Sequence, residues 1–288
     1  MTWYLYAVLS ALTAGVYTFL QKVAVERGYS STLVNTWSTF IASVVAFSVV
    51  ILFSQYETQW VWAIGLGIAS GVLHLIGSVA RMDALRYIDT AIYFPLNKTV
   101  GPLIVLGISI IFFNETFTGN EWIGIAFGIT VPLMLLHKSE SARQNNLRKG
   151  VLIMIVGATF AAIASAISKY GAGSLESVFL FLAVSLGSGA FSGLLLHRFR
   201  NKQEHNVVQK SDLWGSFVYG GLCGITQFLS FVTLMLAFME GSLAIVYTIN
   251  SFYILIPIVL SILIYGEHWN ARKLLAIGFS LLAVGFLR

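Results

Sequence analysis

Charged side chains are scarce in this sequence. Aspartate, glutamate, lysine and arginine together make up 10% of the 288 residues, whereas hydrophobic residues make up 57%. A soluble domain carries about 25% charged residues, because they cover a surface in contact with water. The charged fraction of this chain is less than half of that value. The composition therefore excludes an ordinary soluble domain and predicts a surface that mostly faces lipid.

Cysteine and proline are rare as well, with one cysteine and four prolines in the chain. The lone Cys223 excludes an intrachain disulfide and a zinc site built from cysteines. Few prolines combined with 26 glycines suit closely packed membrane helices better than a loop-rich soluble fold. The sequence therefore predicts no metal site and no bound cofactor.

Motifs of several function classes are missing. The phosphate-cradling pattern GxxxxGK[ST] does not occur, which excludes ATP hydrolysis of that kind, and neither HExxH nor GxSxG occurs. The net charge is +5, yet the basic residues lie in short loops between apolar runs and form no stripe with interleaved aromatic residues. Nucleic acid is therefore not an expected partner.

Ten apolar runs approach the length of roughly 20 residues that a helix needs to cross a bilayer. They are residues 3–21, 33–53, 60–80, 90–113, 121–137, 150–168, 177–197, 213–238, 242–265 and 272–287. The runs lack the alternation of membrane-barrel strands, and a helix satisfies its own backbone polar groups in lipid. The sequence predicts an all-α integral membrane protein with ten transmembrane helices, of which the fifth and tenth are short. The first run, which lacks a basic start and a cleavage site, is interpreted as a permanent span.

The two halves of the chain resemble each other. In matching order, each half has a first span ending in lysine, a fourth span containing asparagine, and an acidic residue after that span; the pairs are Lys22 and Lys169, Asn97 and Asn250, and Glu115 and Glu267. This pattern predicts repeats at 1–137 and 150–288, joined by a linker at 138–149. Because each repeat has five spans, the second copy is inverted. Inverted repeats with a solute site near mid-membrane are common in secondary transporters.

Small-xxx-small patterns begin at Gly67, Gly124 and Gly189. Such patterns let helix backbones approach each other closely. Each has neighbours in the same chain to pack against, so we interpret them as sites of internal packing. A dimer interface is the alternative, and the expected state is a monomer or a weak dimer.

Two stretches resemble a known family. Residues 84–91, leading through Pro102 to Glu115, and residues 237–244, leading to Glu267, are similar to the ten-helix type of the drug/metabolite transporter superfamily with two EamA domains. The resemblance implies two five-helix inverted repeats around a central cavity, lined mainly by spans one, three, four, six, eight and nine. Members carry amino acids, drugs, nucleotide-sugars, sugar phosphates or other metabolites. One departure is that the proline the family has before the second glutamate would fall near Ile254, whereas the nearest proline here is Pro257.

The charges of the loops indicate an orientation. If the spans alternate, nearly all loop lysines and arginines fall on one side, and the side with the termini holds only Lys169 and Arg288. The positive-inside rule then places the protein in the cell membrane with both termini outside. Many members of the family that the chain resembles keep both termini in the cytoplasm, which leaves the orientation open.

Lys98 is the first candidate for solute binding because it lies deep within the fourth span. A lysine at the centre of a membrane helix costs about 2.5 to 3.5 kcal/mol on insertion scales. It should therefore face a polar cavity or an internal partner. We predict that it anchors a carboxylate or phosphate of the solute; a structural contact near Pro95 and Pro102 is the alternative.

Polar side chains at helical spacing extend this candidate site. In the fourth span Tyr93 and Asn97 share one face, and in the ninth span Tyr247 and Asn250 do the same. The two asparagines are predicted to hydrogen-bond the solute from opposite sides of the cavity. Bonding between helices is the competing interpretation.

Further candidates lie on other spans. His74 is a candidate for proton coupling, since histidine titrates near neutral pH, although a hydrogen-bonded structural role is the alternative. Candidates for the cavity lining are Gln227, Ser230 and Tyr17. Gate or second-rank candidates are Lys22, Lys169, Arg81 and Asp83, with an interfacial position favoured for the last two. Glu115 and Glu267 are interpreted as structural residues that lock short loops.

These observations predict a secondary active transporter of a small polar metabolite, with an amino acid or another carboxylate-bearing solute favoured. Its expected partners are that small-molecule solute and the lipid bilayer. An exporter of organic cations or drugs is the main alternative. A membrane-embedded enzyme and a non-transporting scaffold are the alternatives from other classes.

Overall fold

The structure is a computed structural model that describes residues 2–29, 31–53, 59–84, 87–88, 90–135, 147–175, 178–201, 213–265 and 271–288. Every regular element within these residues is helical. The α-helices are α1 (Thr2–Glu26), α2 (Ser31–Phe53), α3 (Trp60–Ala84), α4 (Thr90–Phe113), α5 (Gly119–Met134), α6 (Leu147–Ser174), α7 (Val178–Asn201), α8 (Leu213–Glu240), α9 (Leu243–Ser251), α10 (Leu255–Tyr265) and α11 (Ala271–Phe286).

These helices form the ten predicted membrane spans, because α9 and α10 together make up the ninth. Eight spans of the described residues are long and apolar enough to cross a bilayer. The other two, α5 and α11, have 16 residues each, so the fifth and tenth spans are short as predicted. Large apolar side chains such as Ile51 and Phe112, which are 81% and 75% exposed, cover the outer surface. This surface is suited to lipid and not to water.

Contacts between helix ends show how the spans are oriented. Thr2 donates a hydrogen bond to Glu240 at the end of α8, and Tyr4 donates one to the carbonyl of Val284 near the end of α11. We call this side the N-terminal face. At the other end of α1, Lys22 donates to Ser261 in α10, and we call this side the far face.

The two five-helix repeats are inverted. Helix α1 runs away from the N-terminal face, whereas α6 runs toward it, since Lys169 near the end of α6 bonds to the carbonyl of Phe238 near the end of α8. The first spans of the two repeats therefore point in opposite directions. This confirms the predicted architecture of two inverted repeats around a central cavity.

The protein core lies where the repeats pack against each other. Helix α1 packs on α8, α2 packs on α7 and α8, and α3 packs on α6 and α7. The fully buried Phe181 and Phe238 belong to the core cluster that these helices share. Close approach of α3 and α7 depends on Gly67 and Gly71, where an added Cβ would press on the backbone or side chains of α7. The first small-xxx-small pattern thus serves internal packing.

Replacing Gly71 by alanine is expected to destabilise the protein by about 1 to 3 kcal/mol, the usual cost of overpacking. The added Cβ would overlap Ser188 Oγ and the carbonyl oxygen of Ser185, and the backbone atom has little freedom to move. Gly65→Ala, on the same helix, is the matched control, because its added Cβ would have no neighbouring atom within 4 Å. Thermal unfolding in detergent measures both; equal melting temperatures would contradict this account of α3–α7 packing.

The ninth span is interrupted at its middle. A 3₁₀ turn at Phe252–Ile254 separates α9 from α10. Pro257 has no N–H to pair with the carbonyl of Tyr253, so the α-helical bonding pattern is broken at this point. The fourth span, by contrast, stays α-helical across both Pro95 and Pro102.

Candidate functional site

A central pocket lies between the two repeats, with a volume of about 50 Å³. Four helices contribute to its wall: α3, α4, α6 and α9. The lining residues are His74, Gly77, Ser78, Arg81, Tyr93, Asn97, Gly101, Gly157, Ala158, Ala161 and Tyr247. Because most of them belong to the far-face halves of α3, α4 and α6, the pocket extends from mid-membrane toward the far face.

Helical periodicity explains how α3 and α4 build this wall. On α3 the lining residues are spaced three or four apart from His74 to Arg81, which places them on one face. On α4 the face predicted to carry Tyr93 and Asn97 does line the pocket, together with Gly101. Ser78 also lines the pocket and was not among the predicted residues, although its spacing from His74 and Arg81 is a signal for this position.

The α6 wall is made of small residues, Gly157, Ala158 and Ala161. A Cβ added at Gly157 would lie 2.8 Å from the Cβ of Ala80, so this glycine lets α3 and α6 approach closely. The small side chains leave the space that the longer side chains of α3 and α4 border. Sequence analysis assigned no role to these residues, because small residues on a membrane helix usually indicate packing.

The pocket is positively charged. Arg81 lines it from the last turn of α3, where its side chain is exposed, so it keeps the interfacial position that the sequence favoured. No carboxylate is among the described lining residues. Lys98, the first candidate from the sequence, is outside the pocket lining; its Nζ lies 4.1 Å from the centre of the Tyr253 ring. A positive charge in the lining suits an anionic group bound in the pocket near Tyr247.

His74 lines the pocket from α3 and is half-buried. Its ring meets Phe231 of α8 edge-on, with ring centres 6.1 Å apart and an interplanar angle of 89°. One side of the His74 ring therefore contacts Phe231, and the ring also borders the pocket. Its role in proton coupling stays a prediction.

Asn250 lies outside the pocket lining, in a hydrogen-bonded contact between helices. Its Nδ2 donates to Ser10 Oγ on α1 at 2.7 Å. Ser10 and Ser230 each donate their hydroxyl to the backbone carbonyl of the other, at 3.1 and 3.2 Å. The geometry places Asn250 and Ser230 in a network that joins α1, α8 and α9.

This network gives a prediction for stability. Asn250→Ala and Ser10→Ala should each destabilise the protein, and the double variant should lose less than the sum. The coupling energy expected from membrane proteins averages about 0.6 kcal/mol and reaches about 1.7 kcal/mol. A double-mutant cycle by unfolding in detergent measures it; strictly additive losses would show that the Asn250–Ser10 bond contributes nothing.

Gln227 and Tyr17 also bond to neighbouring helices and lie outside the pocket lining. Ser38 of α2 donates to the Oε1 of Gln227 at 2.6 Å. Tyr17 donates to Asn35 of α2 at 3.2 Å, and Gln21 donates to the hydroxyl of Tyr17 at 2.8 Å. The structure therefore places these candidates on the α1–α2–α8 side of the molecule.

The second-rank candidates lie at the two membrane faces. At the far face Lys22 donates to Ser261 at 2.8 Å and lies 3.6 Å from Glu26, and Asp83 is half-buried in the last turn of α3. At the N-terminal face Lys169 donates to the carbonyls of Phe238 and Gly241. Glu267 and the linker residues 138–146 lie outside the described residues.

Comparisons with known proteins follow the same division into two halves. A family model described as the EamA-like transporter family matches residues 1–136 and again residues 148–288. A solved crystal structure of a protein aligns with a TM-score of 0.75 at 15% identity, over 97% of each chain. At this identity the likeness shows the fold alone. A search of curated proteins gives no match.

Proposed function

Because this chain belongs to the EamA-like transporter family, we propose that it is a secondary active transporter that carries a small polar metabolite across the cell membrane by alternating access. The observation that supports the proposal is the central pocket, which is polar, lies between inverted repeats and is lined mostly from the far-face halves of α3, α4 and α6. Sites at the interface of inverted repeats are where secondary transporters bind their solutes.

A carboxylate-bearing solute is favoured by the charge of the pocket. Arg81 offers a planar fork of donors that matches a carboxylate or phosphate. Lys98 follows the lining residue Asn97 in α4 and adds a second positive charge within the membrane. Asn97, Tyr93 and Tyr247 provide hydrogen-bonding groups that orient the rest of the solute. The rings of the two tyrosines would suit an organic cation, but Arg81 would repel it.

The small volume of the pocket fits a transporter that is open to neither side of the membrane. Pockets that bind small molecules usually measure roughly 300 to 1,000 Å³, and the central pocket has about 50 Å³. A whole amino acid therefore requires the repeats to move apart. With the termini outside, as the loop charges indicate, the far face is cytoplasmic and the pocket extends toward the cytoplasm.

Purified protein in proteoliposomes tests the proposal. A thermal-shift screen of metabolites first identifies solutes, because a ligand that binds the native state raises its apparent stability. Uptake of each hit is then measured with and without an imposed proton gradient. We expect uptake of at least one anionic or zwitterionic solute, and enhancement by the gradient if His74 couples transport to protons. Binding without uptake under either condition would contradict the proposed function.

A further inference from the structure

The connection between α8 and α9 is held by a carboxylate from the other repeat. Glu115 follows α4, and its Oε1 accepts a hydrogen bond from the backbone N–H of Leu243 at 2.7 Å. Its Oε2 accepts from Ser242 Oγ at 2.5 Å and also from Ser109 Oγ. The first N–H groups of a helix have no partner within it, and a negative charge there is stabilised by the helix dipole. Glu115 therefore caps α9 across the interface between repeats.

A lysine holds the other side of the same connection. Lys169 Nζ donates to the carbonyls of Phe238 and Gly241, both at 2.6 Å. These carbonyls belong to the end of α8, where the helix leaves its last acceptors without partners. Lys169 thus hydrogen-bonds to the end of α8, and Glu115 hydrogen-bonds to the start of α9. We call this pair the Glu115–Lys169 clamp.

The clamp lies at the N-terminal face. It lies at the ends of α4, α6 and α8 and the start of α9, and neither residue lines the central pocket. Gly241 packs in the same place against Trp3, with an added Cβ 2.6 Å from that ring. The pocket extends the other way, toward the far face. The molecule therefore combines a clamped N-terminal face with a pocket on the opposite side.

The far face holds the inverted counterparts of these residues. Lys22 corresponds to Lys169, and it bonds to Ser261. Ser261 precedes Glu267 by six residues, as Ser109 precedes Glu115. The sequence thus repeats the lysine, serine and glutamate of this arrangement once in each half, and Glu267 lies outside the described residues.

We propose that the Glu115–Lys169 clamp is the gate of the N-terminal face, and that each transport cycle must release the α8–α9 connection from it. The inference rests on the proposed transport function. Release breaks the bonds of one carboxylate and one ammonium to the α8–α9 connection. In this view Glu115 and Lys169 are positioning residues that never contact the solute.

A reversible cross-link tests the gate. Glu115→Cys and Ser242→Cys are combined with Cys223→Ala, and the two introduced thiols are bridged by a short bifunctional methanethiosulfonate reagent. Uptake in proteoliposomes should fall to background after bridging and return after reduction. The matched control is Thr118→Cys with Glu121→Cys, because that pair forms a capping box within α5 alone. Uptake that persists while residues 115 and 242 are bridged would overturn the gate.

Labelling provides a second readout that needs no transported solute. Ser78→Cys in the Cys223→Ala background places a reporter thiol in the central pocket, and a membrane-impermeant maleimide is added from the side of the N-terminal face. Losing a charged hydrogen bond of about 1.5 to 3 kcal/mol shifts an equilibrium roughly 10- to 100-fold. Glu115→Ala and Lys169→Met should therefore raise this labelling by roughly tenfold or more, whereas Glu121→Gln should not.

The two readouts separate the two ideas. If no solute is taken up by the unmodified protein while Glu115→Ala still raises the labelling of the reporter thiol at position 78, the proposed transport function fails, although the clamp still controls access to the pocket from the N-terminal face. If solute is taken up but labelling from the N-terminal face is the same in every variant, the gate fails and the transport function stands.

Discussion

Replacing Arg81 by alanine is expected to raise the KM for an anionic solute by roughly 10- to 100-fold. This range follows from the loss of a charge-assisted hydrogen bond of about 1.5 to 3 kcal/mol. Arg81 lines the central pocket, and no described lining residue supplies a carboxylate to replace the solute as its partner. Concentration-dependent uptake in proteoliposomes measures the change.

Two further variants test whether the change in KM is specific to the guanidinium of Arg81. Arg148→Ala removes the same side chain from the exposed start of α6, on the far face but outside the pocket lining, and should leave KM unchanged. Arg81→Lys keeps the charge but loses the planar fork, so it should retain only part of the affinity. A wild-type KM for Arg81→Ala with every solute would remove Arg81 from the binding site.

Lys98→Ala is expected to abolish or redirect solute uptake while leaving the fold intact. Lys98 lies more than two turns inside α4, where a lysine requires a polar cavity or an internal partner. Its Nζ lies 4.1 Å from the centre of the Tyr253 ring, a cation–π contact worth about 2 kcal/mol when removed from water. Uptake and thermal unfolding are measured together, and unchanged kinetics for every solute would exclude Lys98 from the site.

A second substitution distinguishes a direct role of Lys98 from one exerted through Tyr253. Tyr253→Leu removes the aromatic ring and leaves the lysine in place. If Lys98 anchors the solute directly, Tyr253→Leu should retain uptake with a modest change in KM. If Lys98 acts by holding the 3₁₀ turn of the ninth span, both variants should lose uptake equally, and the double variant should lose no more than either alone.

Hydropathy predicted the spans well because lipid imposes a simple requirement on every helix that crosses it. The fourth span begins and ends at the predicted residues 90 and 113. The sixth was predicted too short at both ends, since α6 begins at Leu147 and ends at Ser174 and not at residues 150 and 168. Hydropathy detects where the apolar run ends, whereas a helix continues through the polar membrane surface while its backbone bonds remain favourable.

Arg81 combines an interfacial position, which the sequence favoured, with a place in the pocket lining. The predicted third span ended at residue 80, whereas α3 continues to Ala84, so Arg81 belongs to the last turn of the helix, where its side chain is exposed. Its spacing from His74 places it on the pocket face of α3. The sequence locates helix ends only roughly, so it did not show that this face continues beyond the apolar run.

The contacts of Asn250 could not be predicted from the sequence. Its matching position with Asn97 predicted that both asparagines face the cavity, and Asn97 does line the pocket. Asn250 bonds instead to Ser10 of α1. Periodicity tells which residues share a helix face, but it does not tell which neighbouring helix that face meets. The competing interpretation, bonding between helices, is the one that the geometry of Asn250 matches.

The interruption of the ninth span makes the two repeats mechanically unequal. Its counterpart, α4, is a single rod of 24 residues, whereas the ninth span is two shorter rods of nine and 11 residues joined at Phe252–Ile254. A continuous helix tilts as one unit, whereas a helix interrupted by a 3₁₀ turn lets its two parts tilt separately. Opening toward one side of the membrane is therefore not the mirror image of opening toward the other, and the two directions of solute movement should proceed at different rates.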